Sequence, residues 1–282
     1  MKYRILLTND DGIMAPGLTS LYSELSRIAD VTVVAPSSEK SAVAHAISVF
    51  NEMTLEEHVK DGITWGYGFD GTPADCVKIA LTHILKEPPH LVISGINRGQ
   101  NTGFNILYSG TVAGAMEAAM YGLPAIAVSL AALPPAVPFF DYAAVFAARL
   151  ALQVIPRGLP RGVLLNVNVP NCLPEQIRGV SITRQGESRF EDFFRHEGHM
   201  NGLPLFRNVG GRYLFGEPLE DYDETALAKN VISITPLRYD LTHHELIPTF
   251  ENWLREGIHD ELLSPDEQPD MPPQSSREDQ SD

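Results

Sequence analysis

Two neighbouring carboxylates stand at the end of the first apolar run of the chain, in the segment LLTNDDGI at residues 6–13. Asp10 and Asp11 destabilise each other unless a cation neutralises them, because each negative charge raises the pKa of the other carboxyl group. Carboxylate, hydroxyl and amide oxygens are the ligands that Mg²⁺, Mn²⁺ or Ca²⁺ prefer. The pair therefore indicates a divalent metal site. The alternative is a turn in which Asn9 or Asp10 caps the backbone and Gly12 supplies a positive φ.

Further oxygen and amide groups follow two later strand-like segments. Ser41 lies in the polar loop after VTVVAP, and Asn97 ends the segment HLVISGIN. The loop beyond Asn97 adds four more polar side chains, namely Asn101, Asn105, Ser109 and Thr111. Functional groups collect beyond the carboxyl ends of strands in an open parallel sheet, so we expect these three loops to meet at one site.

The stretch LYSGTVAGA has the composition of an anion-binding helix start. Gly110 allows backbone N–H groups to approach a ligand, and Ser109 and Thr111 add hydroxyl groups beside a helix N-terminus. The helix in TVAGAMEAAMYG is predicted to be capped by Thr111 and closed by Gly122, and an ordinary helix cap is the alternative to the anion site. His45, after SAVA in the Ser41 loop, is expected to pack beside that loop rather than to donate a proton.

The elements that must hold these loops alternate between strands and helices. Apolar, β-branched runs predict strands, and apolar residues at helical spacing predict helices. The predicted strands are YRILLT, VTVVAP, HLVISGIN, PAIAVSL, GVLLNVNVP and VISITPLRYDLT, and the predicted helices lie in PGLTSLYSELSRIAD, ADCVKIALTHIL, TVAGAMEAAMYG, AAVFAARLALQVI and PTFENWLREGI. This order predicts an α/β fold with a mostly parallel sheet and helices on both faces. Residues 186–230 are polar and Gly-rich, which predicts a segment that departs from the strand–helix alternation and contains a β-hairpin.

Composition narrows the possible partners. The 282 residues include 36 acidic and 21 basic ones, and no Lys/Arg cluster is available to bind the phosphates of a nucleic-acid duplex. No apolar stretch is long enough for a membrane span or a secretory signal, so we expect a cytoplasmic protein without membrane contact. The two cysteines, Cys76 and Cys172, are expected to be free thiols. The acidic residues 264–282 are expected to form a disordered tail.

Several motifs together resemble one known family. They occur in the order ILLTNDDGI, VVAPSSEKSAVAHAIS, GTPADCVKIAL, LVISGINRGQNTGFNILYSGTVAGAMEAAMYGLPAIAVSL, NVNVP and VISITPLRYDLT. In this set and order they resemble the survival protein SurE family of metal-dependent nucleotidases, from about residue 4 to residue 242. The resemblance implies a Rossmann-like core at about 1–185 and 231–247. The core and an extended hairpin region at about 186–230 are expected to form one domain over residues 1–263.

The resemblance also implies a site and an activity. It places one divalent metal ion, Mg²⁺ or Mn²⁺, on Asp10, Asp11, Ser41 and Asn97, and it places the phosphate on Asn101, Ser109, Gly110 and Thr111. It implies hydrolysis of nucleoside 5′- and 3′-monophosphates, exopolyphosphatase activity in some members, and dimers or tetramers formed through an exchanged C-terminal hairpin. The segment DYDETALAKNV departs from the family pattern, with Glu224 and Thr225 where a Thr-Asp pair is usual.

Phosphomonoester hydrolysis needs a Lewis acid and donors aimed at the phosphoryl oxygens, and the predicted residues supply both. We expect Asp10 to orient or deprotonate an attacking water. An alternative mechanism has Asp10 attack phosphorus and form an aspartyl-phosphate. An alternative from another functional class is a non-catalytic sensor that binds metal and nucleotide.

Overall fold

The computed structural model describes residues 2–60, 63–132 and 136–257. The chain divides into two compact units, Met1–Tyr239 and Asp240–Asp282. In the described part of the second unit, a 3₁₀ turn at His244–Leu246 precedes helix α6 at Ile247–Gly257. The predicted domain limits stay a prediction, and the predicted tail at 264–282 lies outside the described residues.

The first unit contains the strands and the remaining helices of the described chain. Its strands are β1 Tyr3–Thr8, β2 Ala29–Pro36, β3 Leu55–Lys60, β4 Ile63–Phe69, β5 Leu91–Arg98, β6 Ala125–Ala131, β7 Val163–Pro170, β8 Gly179–Ile182, β9 Arg189–Met200, β10 Leu203–Leu214 and β11 Val231–Arg238. Its helices are α1 Pro16–Leu25, α2 Pro73–Ile79, α3 Gly110–Met120, α4 Phe140–Arg157 and α5 Asp223–Ala228. A π-helical turn, Ala80–Ile84, continues α2, and a 3₁₀ segment, Gly103–Tyr108, precedes α3.

Nine of the described strands form one sheet, in the order β3-β4-β2-β1-β5-β6-β7-β11-β8. Neighbouring strands are parallel except in the β3/β4 and β7/β11 pairs. Strand β1 is central, where Leu7 is in register with Val33 of β2 and Ile93 of β5. The predicted α/β class with a mostly parallel sheet is confirmed.

The sheet is covered by helices on both faces. Successive side chains of a strand point to opposite faces, and Leu7 packs in a core cluster with Leu18 of α1 and Ala147 of α4. Leu6 packs in a second cluster with Val77 of α2 and with residues of α3. Because both faces are buried, β1 is apolar without alternation. The predicted placement of helices on both faces is confirmed.

Strands β9 and β10 form a separate antiparallel hairpin. Asn201 and Gly202 connect them, both with positive φ, as expected for a two-residue hairpin turn of the Asn-Gly type. The hairpin predicted within residues 186–230 is therefore present.

Helix α2 begins where the sequence signals place it, whereas α4 begins at Phe140, before the predicted segment AAVFAARLALQVI. Thr72 caps α2, with Pro73 in the first turn, and forms a capping box with Asp75. The prediction that Thr111 caps α3 is wrong. Ser109 has extended backbone angles and its Oγ accepts the N–H of Val112 at 3.1 Å, so the helix begins at Gly110. None of the described helices is both long and apolar enough to span a bilayer.

Candidate active site

The carboxyl ends of β1, β2 and β5 lie side by side at one edge of the sheet, because β1 pairs in parallel with both β2 and β5. A cavity of about 240 Å³ opens there. Six of the residues expected at the site line it, namely Asp10, Ser41, Asn97, Asn101, Asn105 and Ser109. The lining does not include Asp11, Gly110 or Thr111. Such a crevice is where ligands bind in open α/β sheets.

Asp10 is held by the first turn of α3. Its Oδ1 accepts a hydrogen bond from the hydroxyl group of Thr111, and the backbone N–H of Thr111 adds a second bond. Gly110 packs against the same side chain, since a Cβ at that position would lie 2.8 Å from Cβ of Asp10. Burial raises the pKa of Asp10, and the bonds from Thr111 oppose that rise. The group bound at this helix N-terminus is therefore the Asp10 carboxylate.

Asp11 is less deeply placed and stands beside Asp10. Burial, followed by the negative charge of Asp10, raises the pKa of Asp11 to about 7, although the N–H of Arg98 donates to its Oδ2 at 3.3 Å. The predicted turn is also present: Asn9 bonds both the carbonyl and the N–H of Gly12, which has φ of 99°. Because Asn9 makes these turn contacts, neither the Asp10 nor the Asp11 carboxylate is used to close the turn.

Ser41 and Asn97 add neutral oxygens. The Nδ2 of Asn97 donates to the carbonyl of Gly99 at 2.9 Å, which leaves its Oδ1 at the opposite end of the amide. The hydroxyl of Ser41 donates to Glu39 at 2.5 Å. Sequence reasoning missed Glu39, whose negative charge contributes to the raised pKa of both Asp10 and Asp11. Its position two residues before Ser41 was the available signal.

The donor set fits a divalent cation. Two crowded carboxylates have raised pKa values, and the side chain of the neighbouring Lys40 points to Asp70, with Nζ 4.0 Å from Oδ1. In the described part of the chain, no three His, Cys, Asp or Glu side chains form a metal-binding group. An ion would therefore bind the two carboxylates together with the oxygens of Ser41 and Asn97, which are hard ligands suited to Mg²⁺ or Mn²⁺.

Asn101 is fixed by two buried asparagines of β7. Its backbone N–H donates to Oδ1 of Asn168 at 2.8 Å, and its carbonyl accepts from Nδ2 of Asn166 and of Asn168. Its own Nδ2 donates one proton to Ser129 at 2.8 Å, which leaves a second amide proton. Sequence reasoning did not assign a role to Asn166 and Asn168. Their signal was a pair of amides two apart, on one face of the apolar strand GVLLNVNVP.

The predicted phosphate residues at the start of α3 have different surroundings. Ser109 accepts a bond from Val112, so its hydroxyl proton is free to point elsewhere. Thr111 is fully buried and its hydroxyl donates to Asp10. The structure thus gives Thr111 a contact with a predicted metal ligand, and its contact with phosphate stays a prediction.

Comparison with known proteins identifies the family of the chain. A family model described as Survival protein SurE matches residues 5–192. The chain belongs to the SurE family. The predicted resemblance is confirmed.

Relatives in the SurE family cover nearly the same length. A protein of Syntrophobacter fumaroxidans named 5′-nucleotidase SurE is 44% identical over 252 residues, which cover 89% of this chain and 99% of the relative. A protein of the same name from Desulfatibacillum aliphaticivorans is 43% identical, with 88% and 97% covered. A crystal structure of the SurE protein from Aquifex aeolicus superposes with a TM-score of 0.76 at 34% identity, and covers 89% of this chain and 99% of that one.

His45 has a structural contact in this SurE chain. Its Nε2 lies 2.7 Å from Oε2 of the buried Glu117 on α3, and Lys78 lies 3.6 Å from the same carboxylate. The backbone N–H of Ala44 also donates to the carbonyl of Tyr108 at 3.0 Å. These contacts hold the Ser41 loop against α3 and the 3₁₀ segment, in agreement with the packing role predicted for His45.

Two tyrosines also line the cavity in this SurE chain. Tyr108 ends the 3₁₀ segment, and Tyr213 comes from β10 of the hairpin. The ring of Tyr213 packs edge-on against Phe190, with centroids 5.2 Å apart, and burial raises the pKa of its hydroxyl group. Sequence reasoning missed Tyr213, because pairing of β10 with β9 does not show which loop the hairpin meets.

A second cavity, of about 530 Å³, lies beside Lys40 and shares no lining residue with the first cavity. Its lining includes Lys40, Ser48, Phe50 and Asp70 but, among the described residues, none of the predicted metal or phosphate residues. The smaller cavity is therefore the candidate active site, since it holds the reactive groups.

Proposed function

We propose that this chain is a metal-dependent phosphomonoesterase that hydrolyses nucleoside monophosphates to nucleoside and phosphate. One observation carries the proposal: Asp10, Ser41 and Asn97 line the same cavity as the donors Asn101 and Ser109. The names of the SurE relatives, 5′-nucleotidase, support the choice of substrate.

The side chains of this site suit phosphoryl transfer. The transition state concentrates negative charge on phosphoryl oxygens, so fixed donors stabilise it. The Ser109 hydroxyl proton and the second Nδ2 proton of Asn101 are such donors, and both groups are held in place by other hydrogen bonds. Mg²⁺ or Mn²⁺ bound by Asp10, Asp11, Ser41 and Asn97 would supply Lewis-acid stabilisation of the same oxygens.

We assign to Asp10 the role of orienting or deprotonating the attacking water. The two bonds from Thr111 fix the orientation of Asp10, and burial raises its pKa, which makes the carboxylate a stronger base. Direct attack by Asp10 on phosphorus is the alternative mechanism. Hydrolysis of a substrate with a chiral, isotopically labelled phosphoryl group separates the two, since direct attack by water inverts the configuration at phosphorus, whereas the two displacements of the covalent route retain it.

The proposal extends to substrate range and assembly. We propose that 3′-monophosphates and short polyphosphates are also substrates. We also propose that the protein is cytoplasmic. Tyr108 and Tyr213 line the cavity as aromatic surfaces that a nucleobase can stack on. We also propose a homodimer or homotetramer in which the hairpin is exchanged or shared. Support comes from the exposed aromatic residues Phe193, Phe194 and Phe206 on β9 and β10.

Phosphate release tests the function. Metal-stripped protein is given AMP, GMP or 3′-AMP with Mg²⁺, Mn²⁺ or no metal, alongside Asp10→Asn. Metal-dependent release by the wild type that the substitution abolishes is the expected result. Folded protein that binds nucleotide but releases no phosphate with any metal would overturn the enzyme and favour the sensor.

A further inference from the structure

Two adjacent carboxylates outside the candidate active site are buried. Asp223 and Glu224 form the first turn of α5, and their side chains belong to residues that are 0% and 7% exposed. Asp and Glu are rarely buried without specific partners. The partners here are backbone N–H groups from two other segments, so the pair has a connecting role.

Each carboxylate accepts hydrogen bonds from backbone N–H groups distant in the sequence. Asp223 accepts the N–H of Gly103 on Oδ2 at 3.1 Å and that of Gly186 on Oδ1 at 3.0 Å. Glu224 uses one oxygen, Oε1, for the N–H groups of Glu187 and Ser188 at 3.0 and 3.1 Å. Asp223 therefore needs both of its oxygens, whereas Glu224 needs one.

The two bound segments belong to the active site and to the hairpin. Gly103 opens the 3₁₀ segment Gly103–Tyr108, whose Asn105 and Tyr108 line the cavity just after Asn101. Residues 186–188 lead directly into β9. Asp223 therefore connects the lining of the cavity to the base of the hairpin.

Direct contacts between the two segments reinforce this connection. The N–H of Phe104 donates to the carbonyl of Ser188 at 2.8 Å, and that of Phe190 donates to Oδ1 of Asn105 at 3.2 Å. A Cβ at Gly103 would lie 2.4 Å from the carbonyl oxygen of Ser188, so the two backbones meet closely. The segments are packed together, and Asp223 bonds both of them.

The electrostatics match a pair that shares one negative charge. Burial, followed by the hydrogen bond and charge of Glu224, raises the pKa of Asp223 to about 8. Burial acts to raise the pKa of Glu224, but the hydrogen bonds from Asp223 and from backbone N–H groups outweigh it, so that the pKa is lowered. Near neutral pH, Asp223 is protonated and Glu224 ionised, which avoids two adjacent buried charges.

We propose that Asp223 and Glu224 are positioning residues of the active site, which hold the segment Gly103–Tyr108 in its substrate-binding place by tying it to the base of the hairpin. This inference rests on the proposed function for its kinetic consequence. It follows from the contacts that the hairpin helps to set the shape of the substrate cavity.

The kinetic test compares Asp223→Asn with Asp221→Asn on AMP. Both oxygens of a carboxyl group can accept an N–H even when one carries a proton, whereas the NH₂ group of Asn cannot, so Asp223→Asn is expected to raise KM by about tenfold, with a smaller change in kcat. Asp221 is a matched control from the same segment, since it is exposed and pairs with the exposed Arg184. A folded Asp223→Asn with wild-type KM, or an equal rise in Asp221→Asn, would overturn the proposal.

Conservative replacement of Glu224 gives a second test. Gln retains the single acceptor oxygen, so Glu224→Gln is expected to keep KM within about twofold, whereas Glu224→Ala raises it by about tenfold. Equal KM values for these two variants would contradict the proposed contact. The comparison of the two Glu224 variants also tests the positioning role if Asp223→Asn fails to fold.

Hydrogen exchange separates failure of this proposal from failure of the proposed function. Amide exchange over residues 101–108 is expected to be faster in Asp223→Asn or Glu224→Ala than in the wild type and in Asp221→Asn. Unchanged exchange would overturn the positioning role. If the wild type releases no phosphate but exchange responds as expected, the enzymatic function fails and the positioning role stands.

Discussion

The hydroxyl group of Thr111 donates a hydrogen bond to Oδ1 of Asp10. Thr111 lies in the first turn of α3 and Asp10 follows β1, so one bond joins the helix to the central strand at the candidate active site. The carboxylate is thereby fixed before any ligand arrives. Preorganisation of this kind lowers the reorganisation that the reaction requires.

Removal of this hydroxyl group is expected to lower activity. Thr111→Val keeps the shape and the backbone N–H but removes the hydroxyl donor of the buried Asp10, at a cost of about 1–3 kcal/mol, or about tenfold or more in kcat/KM. Thr111→Ser retains the hydroxyl and is the matched control, expected to stay within a few-fold of the wild type. Steady-state kinetics with AMP measures both variants. Equal activity in Val and Ser variants would show that the bond has no role.

Metal binding is expected to stabilise the protein through Asp11. Bound Mg²⁺ favours the folded state by mass action, by about 2.7 kcal/mol at one hundred times Kd. Asp11→Asn is expected to lose most of the Mg²⁺-dependent rise in Tm, yet to raise the Tm of the metal-free protein at pH 8, because it removes a repelling charge. Asp30→Asn, an exposed carboxylate paired with Lys2, is the control. A full Mg²⁺ response in Asp11→Asn would contradict the predicted ligand.

Stability of the metal-free protein is expected to fall as pH rises, in part because of Asp223. Its pKa is about 8 in the folded protein, above the ordinary value of 3.8 for an Asp side chain, so the folded state holds the additional proton between those values. The free energy of unfolding therefore decreases with rising pH over this window. Asp223→Asn removes this proton, and its Tm profile from about pH 5 to about pH 8.5 is expected to be flatter. Asp11 titrates in both proteins, so parallel profiles would exclude Asp223.

Tyr213 is expected to contribute to recognition of the nucleoside. Loss of base stacking costs about 1–3 kcal/mol, so Tyr213→Ala is expected to raise KM for AMP by about tenfold. KM for ribose 5-phosphate, which has no base, is expected to change little. Tyr121→Ala, an exposed tyrosine at the other end of α3, is the control. Equal increases for both substrates would remove Tyr213 from base recognition.

The hairpin is expected to mediate self-association. Phe194 is 68% exposed in the single chain, so Phe194→Asp should leave the fold of that chain intact while it places a charge in the shared surface. Light scattering after size exclusion is expected to show a smaller mass for this variant than for the wild type or Tyr121→Asp. A wild-type mass for Phe194→Asp would exclude this face of the hairpin.

Much of the fold and site was predictable because it depends on local patterns. The apolar run before Asp10 predicted β1, and the rule that loops meet beyond parallel strand ends brought Ser41 and Asn97 to the same cavity. The cap of α3 was less predictable, since Ser109 and Thr111 are both good caps and the choice depends on where the chain turns.

Contacts distant in the sequence carried no local signal. Asp223 and Gly103 are 120 positions apart, and nothing near either residue indicates the bond between them. Tyr213 is a similar case, because alternation along β10 predicts a strand but not the loop it approaches. Glu224 was noted as a departure from the family pattern, and its structural partners explain how a buried acid is accommodated there.

The hairpin also has a consequence for protein engineering. Tyr213 reaches the cavity from β10, while the predicted metal ligands follow β1, β2 and β5. Tyr213 and the predicted metal ligands are thus encoded in separate stretches of the gene. A library confined to codons of β10 is expected to alter the choice of nucleoside while the predicted metal ligands remain untouched.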